Sequence, residues 1–196
     1  MIFSTKKGEY FYAICGDATG HGVISGIMVS VTKAGLNGIA MGTPSKILQQ
    51  LNRIVKRVNF GRLRMSLSVA KLNKNSVELS SAAMPPTYYY NAKAKLVEEV
   101  LVPNLPLGGI ETEEFDSITK DFNSGDVIVM ISDGLPELPN PQDELLDYPK
   151  VEDCVKANAH KDAESIKDAL VELSDTWADG VMNPDDITIV VVKKAS

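Results

Sequence analysis

Three short acidic loops carry the residue types that could do chemistry. Asp17 lies in Gly16-Asp17-Ala18-Thr19-Gly20-His21-Gly22, Asp133 in Ser132-Asp133-Gly134, and Asp185 opens Asp185-Asp186-Ile187-Thr188. Carboxylate oxygens in a chain with two histidines and two cysteines suit Mg²⁺ or Mn²⁺ rather than zinc. Three such carboxylates converging on one or two divalent cations could acidify a bridging water, orient a phosphate ester and neutralise charge on its leaving oxygen. Singly, each loop is weak evidence, because Asp-Gly turns and aspartates at strand starts usually only cap or solvate the chain. Their joint order is much more specific.

Each carboxylate stands at an end of a strand-like run, so strands deliver the ligands. Residues 10–15 and 127–131 lead into the first and second loops, and residues 187–193 leave the third. Small and apolar residues over 23–41, with Gly26, Gly35 and Gly38 among them, predict a buried helix packed closely on a neighbour. Thr43-Pro44 is an N-cap followed by proline at the first helical position. Ile47, Leu48, Leu51, Ile54, Val55 and Val58 then recur at helical spacing until Asn59-Phe60-Gly61 stops them.

The middle of the chain is a meander of short strands, 66–72, 77–82, 87–91 and 95–100, with two more at 117–122 and 127–131. Alternation within 66–72 predicts a half-buried strand. The proline-rich and acidic stretch 135–149 reads as a loop or lid shaping substrate access, and helices follow at 150–159 and 162–178. Strands cluster and helices come in pairs, which predicts separate layers of sheet and helix in one domain covering 1–196. The βαβ alternation of a receiver domain is missing, and so is a glycine-rich phosphate loop ending in Gly-Lys-Ser/Thr.

Composition narrows the partners. A net charge of −6 and a pI near 5.0 argue against a nucleic-acid partner. The one basic cluster, Arg53, Lys56, Arg57, Arg62 and Arg64, reads as the solvated side of a helix and the turn after it. Cys15 and Cys154 sit among apolar neighbours like small core residues, fitting a reducing cytoplasm. No membrane-length apolar run and no signal-peptide pattern occur, so a soluble chain without membrane contact is expected.

In the order of its motifs the chain resembles the metal-dependent PPM-type protein phosphatases, within them the SpoIIE and RsbU-like serine phosphatases. The matching stretches are the Gly16 to Gly22 loop, Ser81-Ala82-Ala83-Met84-Pro85-Pro86, Leu105-Pro106-Leu107-Gly108, Ser132-Asp133-Gly134-Leu135 with Glu137, and Asp185-Asp186-Ile187-Thr188-Ile189-Val190. The resemblance implies an α+β fold, a four-layer α/β/β/α sandwich of two mainly antiparallel sheets flanked by helices. It implies that Asp17 bridges two metals, that the Ala18 carbonyl binds one, and that Asp133 and Asp185 ligate the other. Asp186 is then a supporting residue. A metal-bridging water would attack the phosphorus of phosphoserine or phosphothreonine without a phosphoenzyme. The implied substrate is a phosphorylated regulatory protein, a STAS-type anti-sigma-factor antagonist, in bacterial signalling.

The chain departs from that pattern in two places. Family members usually carry an upstream strand with a Gly-Gly-Asp type motif, and none of the sixteen residues before Asp17 forms it; Lys7-Gly8-Glu9 instead reads as the turn between the first two strands. The expectation is therefore a truncated domain with an incomplete two-metal site. Met84 also stands where the motif commonly has histidine. The competing functional reading is a catalytically impaired phosphatase fold that docks a partner. His21, between two glycines, is expected to orient its loop rather than act as an acid, and His160 to be exposed. Thr19 and Ser132 have no neighbouring base to make them nucleophiles, and no arginine stands out as a phosphate clamp, Arg62 and Arg64 being candidates only by position. The glycines of the first helix serve internal packing in the safer reading and a homodimer face in the other.

Overall fold

The computed structural model describes residues 1–20 and 22–195. These fall into two compact units, neither continuous in sequence: residues 1–84 with 101–122, and residues 85–100 with 123–196. Each holds one antiparallel sheet and one pair of helices, which is the α+β class read from the sequence.

In the first unit the sheet order is β1-β2-β3-β4-β7, formed by Ile2–Lys7, Tyr10–Ala18, Met65–Leu72, Ser76–Ala82 and Ile118–Asp121. The first two strands pair Lys7 with Tyr10 across a turn at Gly8, whose φ of 61° suits glycine. Helices α1 (Val23–Gly38) and α2 (Pro44–Val58) pack on each other, and α2 lies on β3 and β4. As the sequence predicts, the Thr43 hydroxyl accepts the Lys46 N–H and Asn59 closes α2 in the left-handed region. Ile47, Leu48, Leu51 and Val55 of α2 are fully buried with Ile14, Met65, Leu67 and Val69 of the sheet.

Two expectations for this unit need correction. Strand β3 is not half-buried: Leu67, Ser68, Val69 and Ala70 are all buried, because it is the middle strand of five and Ser68 satisfies its hydroxyl on Ser81 at 3.1 Å. Helix α1 ends at Gly38 and is only partly buried. Met28, Thr32 and Leu36 face inward, while Val23, Ile24 and Ile27 are exposed. Of its glycines only Gly35 serves close packing, since a Cβ there would lie 3.0 Å from Leu51 and 3.2 Å from Ile54; Gly26 and Gly38 face open space.

In the second unit the order is β6-β5-β8-β9, formed by Leu96–Val100, Thr87–Asn91, Val127–Ile131 and Ile189–Lys193. Helix α3 (Tyr148–Asn158) packs on β5 and β6, and α4 (Ala163–Ala178) on β9. Strand β8 is buried throughout, which is why 127–131 is an uninterrupted apolar run. Buried Asp126 fixes the turn before it by accepting from the Ala92 and Asn123 N–H groups and the Tyr89 hydroxyl. The stretch 135–149 is no open lid. Leu135, Leu138 and Leu146 enter the core, Trp177 donates its ring N–H to the Leu138 carbonyl, and Tyr148 already belongs to α3.

Candidate metal centre

Asp17 is the second-last residue of β2, paired in register with Ser66, and Ala18 ends the strand opposite Met65. The strand approaches β3 so closely before Asp17 that only glycine fits at position 16: a Cβ there would lie 2.4 Å from the Leu67 side chain and 3.0 Å from the Ser66 carbonyl. Beyond Ala18 the loop is clamped by Thr19. Its hydroxyl accepts the Arg64 N–H at 2.8 Å and donates to the Arg64 carbonyl at 3.1 Å, and its own N–H donates to that same carbonyl. This use of the Thr19 hydroxyl agrees with its being no nucleophile. Ser25 of α1 reaches back to the Thr19 carbonyl, tying the helix start to the loop. His21 lies outside the described residues.

In the second unit the structure brings Asp133 and Asp185 together, each offering a carboxylate oxygen within 4.8 Å of the other's. Buried Ser132 holds the two loops in place. Its hydroxyl accepts the Thr188 N–H at 2.8 Å and donates to the Asp186 carbonyl at 3.0 Å. At Gly134 a Cβ would sit 2.6 Å from the Asp186 carbonyl oxygen, so the backbone before β9 lies directly against this glycine. Asn183 donates to the Gly134 carbonyl and accepts the Asp185 N–H, and Asp185 accepts the Asp186 N–H. Asp186 is exposed, and its backbone N–H closes this loop on the Asp185 carboxylate.

The Oδ1 atom of Asp133 is buried with no hydrogen-bond partner. A buried carboxylate oxygen left unpaired is costly, and a cation is the partner that such an atom accepts best. The donors are hard oxygens, which fit Mg²⁺ or Mn²⁺ and fit zinc poorly. Nearby, the Tyr148 phenol is pushed above its ordinary range by burial and by the charges of Glu137 and Asp133. Burial likewise drives the Cys15 thiol up to about 12, which makes it an inert core group.

The basic residues divide in a way the sequence does not reveal. Arg64 spends its guanidinium on the Gly61 and Leu63 carbonyls, both at 2.8 Å, and Lys56 donates to the Gly109 carbonyl at 2.7 Å. Neither is a phosphate clamp in this arrangement. Arg53, Arg57 and Arg62 are exposed, as is His160. No helix among the described residues is long and apolar enough to cross a membrane.

Comparison with known proteins matches residues 7–195 to the family described as Stage II sporulation protein E (SpoIIE). The chain is 24% identical over 197 residues to the phosphoserine phosphatase RsbU of Bacillus subtilis (strain 168), covering 96% of this chain and 57% of that one. It thus spans little more than half the length of that relative. Among solved structures it is similar to the SiaA-PP2C domain of Pseudomonas aeruginosa, with a TM-score of 0.86 at 15% identity over 98% of this chain and 78% of that one. It also resembles the structure of the RsbU and RsbW domains of Rv1364c from Mycobacterium tuberculosis, with a TM-score of 0.81 at 21% identity over 99% and 54%. RsbX in complex with magnesium gives a TM-score of 0.73 at 15% identity over 97% and 84%. These likenesses show a PP2C-like α+β fold with two antiparallel sheets and four helices.

Proposed function

The chain belongs to the SpoIIE family of PPM-type phosphatases, and on that premise we propose that it hydrolyses phosphoserine or phosphothreonine on a regulatory protein with the help of Mn²⁺ or Mg²⁺. Asp17, Asp133 and Asp185 would hold the metal with the Ala18 carbonyl, each being a hard oxygen donor of the kind that Mg²⁺ and Mn²⁺ prefer. The family profile spans both compact units, which supports one catalytic domain over residues 1–196. The observation that carries the reading is the buried, unpartnered Asp133 Oδ1 beside Asp185.

Bound there, a divalent cation supplies a water of lowered pKa and neutralises charge on the phosphoryl oxygens. The chain's own part is positional. Ser132, Gly134 and Asn183 hold the Asp133 and Asp185 loops in one arrangement, and the Thr19 clamp fixes the chain leaving Asp17. Ligands pre-set in this way need no reorganisation when charge develops.

The likeness to a phosphoserine phosphatase supports serine as the phosphorylated residue, and the substrate we propose is the STAS-type antagonist that the family resemblance implies. A cytoplasmic setting fits both. The test is phosphate release from a small aryl phosphate and from a phosphoserine protein as Mn²⁺ is titrated from zero to millimolar, beside calorimetric Mn²⁺ binding. Hydrolysis that needs Mn²⁺ and is abolished by Asp133→Asn is the expected result. Metal binding without turnover on either substrate would replace the enzyme by a partner-docking module, and full activity in Asp133→Asn would overturn the assigned site.

A further inference from the structure

Helix α2 and the segment after Leu107 enclose a cleft of about 430 Å³ in the first unit. One wall is Arg53 and Arg57, one helical turn apart on the side of α2 turned away from the core. The other is Glu111, Glu113 and Glu114, and the remaining lining residues, a glutamine and a threonine, are polar too. Among the described residues no ion pair or hydrogen bond joins the two arginines to the three glutamates, so cations and carboxylates face each other across the gap without closing it.

The acidic wall is held rigidly. Buried Asn52 accepts the Gly108 N–H at 2.8 Å and donates to the Ile110 carbonyl at 2.7 Å, Lys56 binds the Gly109 carbonyl, and Phe115 is anchored in the core. Gly108 adopts a φ of 82° with room for no Cβ, which would lie 2.9 Å from Val55. Both walls also lead to the Asp17 end of the sheet. Leu107 pairs with Met65, Met65 pairs with Ala18, and the chain leaving α2 reaches Arg64, which clamps Thr19.

We infer that this cleft docks the protein substrate by a surface that presents acidic and basic side chains side by side. The inference rests on the phosphatase reading above. The charge of the lining decides the chemistry: three carboxylates against two guanidiniums disfavour a free polyanion such as inorganic phosphate, whereas a mixed-charge surface satisfies both walls at once. A lining without an apolar residue, most of it exposed, suits a polar protein surface rather than a small apolar ligand.

The experiment compares the chain with Arg53→Glu/Arg57→Glu and with Glu111→Lys/Glu113→Lys, after circular dichroism and thermal unfolding show each variant folded. The probes are a small aryl phosphate and a serine-phosphorylated STAS-domain protein, and the latter is also titrated calorimetrically into Asp133→Asn with and without each wall reversed. The expected result is at least a tenfold rise in KM and in Kd for the phosphoprotein with either wall reversed, and aryl phosphate turnover within twofold of the parent. A Kd unchanged within twofold in both wall variants, or no binding of the phosphoprotein to Asp133→Asn, would overturn the docking cleft. Loss of aryl phosphate hydrolysis in the parent chain would instead strike the phosphatase reading, while the calorimetric arm still decides the cleft.

Discussion

Ser132 and Thr188 exchange two hydrogen bonds: the Ser132 N–H donates to the Thr188 carbonyl at 3.0 Å, and the Thr188 N–H donates to the Ser132 hydroxyl at 2.8 Å. The end of β8 and the start of β9 are thereby fixed as one piece, with Asp133 following the first and Asp185 preceding the second. Ser132→Ala removes the hydroxyl that accepts the Thr188 N–H and donates to the Asp186 carbonyl, at a cost of about 0.5–1.5 kcal/mol for each hydrogen bond lost. Urea unfolding should show that loss, and Mn²⁺ titration should show weaker binding even where the fold survives.

Gly134 lies directly against the Asp186 carbonyl. In Gly134→Ala the obstructing atom is backbone rather than a flexible side chain, so the loop carrying Asp185 must move. The expected cost is about 1–3 kcal/mol, and the metal affinity should fall more than in Ser132→Ala. Unfolding and metal titration on the two variants would test that order.

Removing the metal should expose the unpaired Asp133 oxygen. With chelator present, Asp133→Asn is expected to be at least as stable as the parent, because a buried carboxylate oxygen without a partner is itself unfavourable. With Mn²⁺ at about a hundred times its Kd, the parent should gain about 2.7 kcal/mol and the variant far less. Thermal unfolding in the two buffers checks both statements.

Asn52 is fully buried and satisfies both ends of its amide on the segment 108–111. Asn52→Leu keeps the branched shape of the side chain but strands the Gly108 N–H and the Ile110 carbonyl, so a loss of about 2–4 kcal/mol is expected for the two groups. Amide hydrogen exchange should quicken in residues 108–114 before it does so in β3. Uniform exchange across the unit would count against the segment's being pinned by this side chain.

The Cys15 thiol gives the protein an alkaline liability. Its pKa is raised by burial from 9.0 in the unfolded chain to about 12 in the folded one. Between those values the unfolded state has lost the proton that the folded state keeps, so stability falls as pH rises through the window. The slope is about 1.4 kcal/mol per pH unit for this one group. Urea unfolding at pH 8, 9 and 10 should show the decline above pH 9, and Cys15→Ala, though less stable, should lose that component of the slope. The native thiol should not react with an aromatic disulfide at pH 8.

Much of this architecture is written locally in the sequence. Thr43-Pro44 and Asn59 bound α2 because capping and the left-handed turn are decided within a few residues, and the strand runs follow from apolar patterning of the same range. The order of the three acidic loops likewise marks the family. The sequence could not show that Ser132 serves Thr188, that Gly134 makes room for Asp186, or that Gly35 alone among the glycines of α1 is a packing glycine. Nor could it separate Arg64 and Lys56, consumed by carbonyls, from Arg53 and Arg57, which face a charged cleft. Apart from the Arg64 contacts, which are local, these depend on a partner far along the chain: 56 residues separate Ser132 from Thr188, and 56 separate Asn52 from Gly108. Propensity acts between near neighbours, whereas the partner of a buried hydrogen-bonding group is chosen only when the sheet register brings distant backbone within about 3 Å.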